Sequence, residues 1–147
     1  MKTQNRFLTT MILMLTFALT NCRKDISVPN TEYDNLFGKW EWISTSGGFG
    51  GSIDNPTTTG YTQMIEFTQK GICIGYKNDK KQKKTNFTFG GNSMFLGKES
   101  WYLNFEDRGL FKEKNKNSQL VTLIGKDTLI LNEMGVSEGY ISKYVKK

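Results

Sequence analysis

The chain predicts an all-β fold, an eight-stranded antiparallel up-and-down β-barrel with no long helix, and three observations carry that prediction. Beyond residue 36, short runs alternate apolar and polar residues with the period of two that half-buried strands require. Gly, Asn and Asp punctuate those runs at the spacing of hairpin turns. No stretch of the same region reads as a helix of useful length. At 147 residues the chain holds one domain, large enough to bury its own core.

The N-terminus stands apart from that pattern. Lys2 and Arg6 precede an apolar stretch from Phe7 to Thr20, shorter than the ~20 residues of a membrane span, so residues 1–21 read as a signal peptide. Leu19-Thr20-Asn21-Cys22 resembles the lipobox of bacterial lipoproteins, with Asn21 where Gly or Ala is commoner. That resemblance implies cleavage before Cys22 and acylation of its sulfur with palmitate-like chains. Each buried methylene contributes ~0.8 kcal/mol, so two or three chains hold a protein firmly. Residues 22–35 then read as lipidated Cys and tether, and residues 36–147 as the barrel domain. No Asp follows Cys22 directly, which argues against retention at the inner membrane. The expected location is the outer membrane of a bacterial envelope, on its periplasmic side or at the cell surface.

Composition removes several chemistries. The chain has no His, which excludes Ser-His-Asp and Cys-His nucleophiles and His-ligated zinc. With Cys22 acylated, Cys73 is the last thiol, so no internal disulfide forms; between Ile72 and Ile74 it reads as a buried or half-buried strand residue. The acids near strand ends, Glu66, Glu99, Glu106 and Asp107, show no pair facing across a cleft, and adjacent Glu106 and Asp107 point to opposite sides. An enzyme, a metal and a cofactor are therefore not expected. The net charge is +6, and signal cleavage removes Lys2 and Arg6, leaving a mildly basic chain. The lysine clusters (Lys80, Lys81, Lys83, Lys84 and Lys112, Lys114, Lys116) read as solubilising loop tips, with no nucleic-acid partner expected.

Along the chain, the first strand spans about 37–45. Gly38 turns the chain tightly into the barrel floor, and Trp40 plugs the narrow end. Trp42 shares the face of Trp40. Residues 46–60 form a long Gly-rich loop that reads as a lid, with Phe49 and Ile53 as its apolar contacts; no Gly-Lys-Ser/Thr follows, which excludes a phosphate loop. Strand 61–68 places Ile65 and Phe67 on one face and turns at Gln69-Lys70-Gly71. Strand 72–78 carries Ile72, Ile74 and Tyr76 on one face, and 78–84 is its hairpin tip. Strand 85–89 carries Phe87 and Phe89, with a turn at Gly90-Gly91-Asn92. Residues 94–96 and 101–106 are one bent strand or two, with Trp101, Leu103 and Phe105 alternating. A polar loop over 107–117 precedes a hairpin of 120–124 and 127–131. The last strand, 139–146, sets Tyr140, Ser142 and Tyr144 against Ile141, Lys143 and Val145.

Gly38-x-Trp40, the Gly-rich run after the first strand, Asp127-Thr128-Leu129-Ile130-Leu131 and the closing Gly139-Tyr140-x-x-x-Tyr144-Val145-Lys146 resemble a lipocalin-like (calycin) lipoprotein of the Bacteroidota. The resemblance spans residues 35–147. In lipocalins an Arg late in the last strand crosses the first-strand Trp; here Lys143 or Lys146 stands in its place, keeping the cation–π contact without planar stacking. The resemblance implies binding of a small apolar molecule inside the barrel. Its expected lining is Trp42, Ile65, Phe67, Ile74, Tyr76, Phe87, Phe89, Leu103, Phe105 and Tyr144. Two readings of that lining stay open: a cavity for a hydrophobic or amphipathic ligand, or a core that fills the barrel. In the second, the protein is a cell-surface module that meets a glycan or protein partner through its loops.

Overall fold

In the computed structural model, residues 31–48, 50–107, 118–133 and 139–147 are described. The expected signal peptide, Cys22, most of the expected tether, Phe49 and nearly all of the expected 107–117 loop lie outside them. The described chain opens with a 3-10 turn, Thr31–Leu36. Strands follow as β1 (Gly38–Gly47), β2 (Ser52–Asp54), β3 (Gln63–Phe67), β4 (Ile72–Lys77) and β5 (Lys80–Phe95). The chain closes with β6 (Lys98–Phe105), β7 (Ser118–Ile124), β8 (Thr128–Glu133) and β9 (Ile141–Lys146). A single helical turn, α1 (Pro56–Thr59), sits between β2 and β3.

Each strand from β3 to β9 pairs antiparallel with the next, β1 pairs with β3, and β1 also pairs with β9. That last ladder closes an eight-stranded antiparallel barrel, with β2 left outside it as a short flap on the upper end of β1. Closure leaves no barrel edge open to stray pairing. Because strands alternate in direction, the 3-10 turn and the β3–β4, β5–β6 and β7–β8 turns share one end. The β1–β3 connection and the β4–β5 turn lie at the other.

The closed end is held by the plug that the first strand foretells. Trp40 is 0% exposed, and its indole N–H donates to the carbonyl of Leu36 at 2.7 Å, so the ring fixes the 3-10 turn beneath the barrel. Gly38 takes φ 122°, where a side chain would be strained, and a Cβ there would lie 3.4 Å from the Lys146 stem. Tyr33 reaches across the same end to Phe89 and Trp101, each with ring centroids 4.5 Å away.

Several local expectations change. Gly90-Gly91 do not turn the chain. They form a bulge within one strand of 16 residues, between the pairs Phe89↔Leu103 and Asn92↔Trp101. A Cβ on Gly90 would stand 3.0 Å from Tyr102 Cβ, so the bare backbone lets β5 bend against β6. The true turn is Leu96-Gly97, both with positive φ, and it separates β5 from β6. The β4–β5 hairpin is likewise tight: Asn78 and Asp79 adopt φ of 50° and 60°, so Lys80, Lys81, Lys83 and Lys84 belong to β5, not to a loop tip.

Ile74 and Tyr76 are corrected as well. They share a face, but it is the outer one: Cys73 and Gly75 are the buried members of β4, and Ile74 pairs with the outward Glu66. The Tyr76 hydroxyl donates to Glu66 Oε2 at 2.8 Å, which raises its pKa from the ordinary value by favouring the phenol. Three apolar-looking residues at every second position fix a shared face without saying which, and Cys73 occupies the place given to them.

Candidate ligand site at the barrel mouth

The interior has two zones. In the lower and middle barrel, Phe87 is the hub: its ring meets Phe67 edge-on at 5.3 Å, Phe89 edge-on at 5.8 Å and Phe105 at 6.3 Å. Ile65, Phe67, Phe87 and Leu103 are at most 1% exposed, and Phe105 is buried beside them. Val121, Leu129, Leu131 and Cys73 complete this wall. Of the residues expected to line a cavity, Ile65, Phe67, Phe87, Phe89, Leu103 and Phe105 thus come together as packed aromatic and aliphatic contacts. Burial also pushes the Cys73 thiol well above its ordinary range, because an ionised sulfur has no water there, and the nearby Glu66 charge adds to the effect.

Trp42 and Tyr144 belong to the upper zone, where they pair across the β1–β9 seam. The Tyr61 ring stacks on Trp42, with centroids 5.8 Å apart and planes 14° from parallel. Lys77 places its ammonium 3.5 Å from the centroid of the Tyr61 ring. The Trp42 indole N–H donates to Thr45 Oγ1 at 2.9 Å, and that hydroxyl meets Ser142 Oγ at 2.8 Å. A bulge between Trp42 and Ser44 makes this possible by returning Thr45 to the inner face beside Ser142.

Register brings further polar residues inward at this level. Gln63 pairs with Lys77 one step above the buried Ile65–Gly75 pair, and Lys83 pairs with Gly75. On the far wall, Gln119 lies between Leu103 and Glu133 on the same face. The Gln119 Oε1 atom is buried and finds no hydrogen-bond donor among the described residues. An acceptor without a partner is costly in the dry interior and invites a donor from outside the chain. The mouth therefore combines an aromatic platform, a cation and an unfilled acceptor above an apolar floor.

The loop above the mouth is organised, but differently from the expected lid. Ile53 pairs with Ser46 in the flap and is 62% exposed, so it makes no apolar contact of the kind foreseen. Asn55 caps α1 by accepting from the Thr57 and Thr58 amides, each at 2.9 Å, and Gly60 closes it at φ 71°. The Gly run earns its place at Gly47 and Gly48, where a Cβ would lie 2.4 Å from the Gly139 carbonyl oxygen and 2.9 Å from the Tyr140 hydroxyl. These glycines let the β1 exit press against the start of β9. The Asn78 side chain and backbone exchange two bonds of 2.9 Å with Thr62, which pins the β4–β5 turn to the entry of β3.

Tyr61, Lys77 and Gln119 are the site residues that sequence reasoning missed. Tyr61 precedes its strand, and Lys77 reads as a polar end of β4 until Cys73 and Gly75 are known to face inward. Gln119 did leave a signal, since it continues the alternation of Val121 and Leu123. Among the described residues, no three His, Cys, Asp or Glu side chains gather as a metal site. The chain matches no protein-family model and no curated protein, so the barrel and the chemistry of its mouth are what a function must be argued from.

Proposed function

We propose that this protein is a lipid-anchored, lipocalin-like barrel of the bacterial outer membrane that binds a small amphipathic ligand at its mouth. The observation that carries the reading is the buried Gln119 acceptor, for which no described residue supplies a donor, together with the Trp42–Tyr61–Lys77 stack of the same barrel. A flat apolar body would lie against the aromatic pair, a donor would meet Gln119, and an anionic tail would meet the Lys77 charge. The packed Phe87 cluster below limits the ligand to a shallow seat. Anchoring rests on the lipobox-like Leu19-Thr20-Asn21-Cys22, and the lipocalin likeness gains support from Lys146, whose ammonium lies 4.8 Å from the Trp40 ring centroid where that family carries Arg.

The test uses 1-anilinonaphthalene-8-sulfonate, an aromatic anion with one N–H donor. The folded protein, checked by near-ultraviolet circular dichroism, is expected to bind one equivalent with enhanced fluorescence. Tyr61→Ala and Gln119→Leu should each weaken binding about tenfold, the equivalent of ~1.4 kcal/mol. Absence of saturable binding, or binding indifferent to both substitutions, would overturn this reading. It would favour a filled barrel that works through its outer surface, for which the Phe87 cluster already supplies the packing.

A further inference from the structure

The closed end of the barrel has a surface that the ligand reading leaves unused. Three tight turns share that end, and each sets an exposed Lys beside its Gly: Lys70 before Gly71, Lys98 after Gly97 and Lys126 after Gly125. Two of the same turns also expose apolar side chains to water. Met94 and Leu96 are each 67% exposed and Ile124 is 39% exposed. Leu96 is unusual in a second way, because it holds φ 50° in the left-handed region that favours Gly or Asn. Turn geometry and solubility would both choose another residue, so an exposed, strained leucine at a hairpin tip points to a contact it makes elsewhere.

The charges at this end suit an anionic partner. Of the acids nearby, Glu99 accepts from the Asn92 amide at 3.2 Å and Asp127 accepts from the Thr128 hydroxyl at 3.2 Å, while Asp34 is exposed on the 3-10 turn. Lys146 is engaged inward, donating to the Asn35 carbonyl at 2.6 Å. The three turn lysines are exposed. The described chain also begins here: the 3-10 turn Thr31–Leu36 lies at this end, nine residues after Cys22. Eight residues separate Cys22 from Thr31, and a chain spans at most ~3.5 Å for each residue.

We propose that the closed end is a seat for an anionic bilayer surface. Met94 and Leu96 enter the boundary between headgroups and acyl chains, and Lys70, Lys98 and Lys126 face lipid phosphates. Ile124 lies at the rim of the same seat. The mouth then faces away from the membrane, and its ligand exchanges with the aqueous side. This orientation rests on the lipid anchor at Cys22 for its strength, whereas the seat itself is a property of the barrel.

The test places a nitroxide label on the protein purified from membranes, in vesicles of phosphatidylglycerol and phosphatidylethanolamine. Label sites are Leu96→Cys at the closed end and Ile53→Cys at the mouth; Cys73 is fully buried and stays unlabelled. The label at 96 should be several-fold less accessible to an aqueous nickel complex, and several-fold more accessible to oxygen, than the label at 53. Reversing Lys70, Lys98 and Lys126 to Glu, or using phosphatidylcholine alone, should return it to water. Equal accessibility at the two sites would overturn the seat. So would protection that survives charge reversal, which would indicate a protein partner or a second copy. The anchor is judged separately by intact mass and by flotation of Cys22→Ala: unchanged flotation overturns acylation, and the label comparison at excess lipid still decides the seat.

Discussion

Trp40 and Trp42 stand two residues apart on one strand, point to the same side and do different work. Trp40 is sealed at the closed end, its N–H on a backbone carbonyl and its ring under the Lys146 ammonium. Trp42, near the mouth, gives its N–H to a hydroxyl pair and its face to Tyr61. Around the first ring the acceptors are backbone carbonyls: Leu36 takes the indole N–H, and Asn35 takes the Lys146 ammonium from the last strand. Around the second, the partners are side chains, and Gln119 across the barrel has an acceptor left over. The difference teaches that the period of two decides only inside from outside. Height along the barrel axis decides whether an inward aromatic is a plug or a platform.

The comparison breaks most visibly if the lower zone is emptied. Phe87→Ala removes the ring that three other phenylalanines touch and should cost about 3–5 kcal/mol in urea unfolding. The same loss should leave the Trp42–Tyr61 stack in place. A cost under ~1 kcal/mol would mean that the lower barrel is not packed around Phe87.

A smaller effect comes from the buried thiol. Cys73 has its pKa raised by burial from the ordinary 9.0, so above that pH the unfolded chain loses a proton that the folded chain keeps. Its contribution is therefore fully present below pH 9.0 and declines as pH rises, by up to ~1.4 kcal/mol per pH unit. Tyr76 acts with the same sign, but only from its ordinary value of 10.0 upward. Lys146, whose pKa burial lowers from 10.5, acts with the opposite sign: as pH rises through its folded pKa, a penalty on the charged form is relieved. Denaturation midpoints of Cys73→Ala should lack the decline between pH 9 and 10. If the wild-type slope persists there, the thiol is not its source.

How far these zones could be foreseen follows from the kind of signal each one leaves. The barrel was legible because closure needs only alternation and turns: residues such as Ile65-Glu66-Phe67 and Trp101-Tyr102-Leu103 supply the first, and Gly71 and Gly125 the second. The plug was legible because Gly38 and Trp40 are rare residue types at a fixed spacing. Face assignment failed in β4, where Ile72, Ile74 and Tyr76 look more like a core than Cys73 and Gly75 do. The small residues win because they pair with Phe67 and Ile65, whose side chains already occupy the inner face, a fact of packing across strands. Gly90-Gly91 misled in the same way, since a bulge and a turn call for the same residue. The mouth was least legible: Tyr61, Lys77 and Gln119 lie far apart in sequence, and Lys77 reaches the Tyr61 ring only once β4 has paired with β3.

The smallest effect tests the closed end at its cation. Lys146 holds Asn35 through its ammonium and covers Trp40 with the same group, yet partial burial works against its charge. Those influences oppose one another, so Lys146→Met should destabilise the protein by only about 1 kcal/mol. Lys146→Arg should change stability by less than ~0.5 kcal/mol, because a guanidinium adds planar stacking on the indole but must fit a space sized for an ammonium. Thermal unfolding of both variants, read beside the Tyr61→Ala protein, completes the contrast. Met at 146 should lower the midpoint without altering probe binding at the mouth, and Ala at 61 should do the reverse. If both variants moved both readouts, the two ends would be one cooperative unit, and the division between plug and platform would not hold.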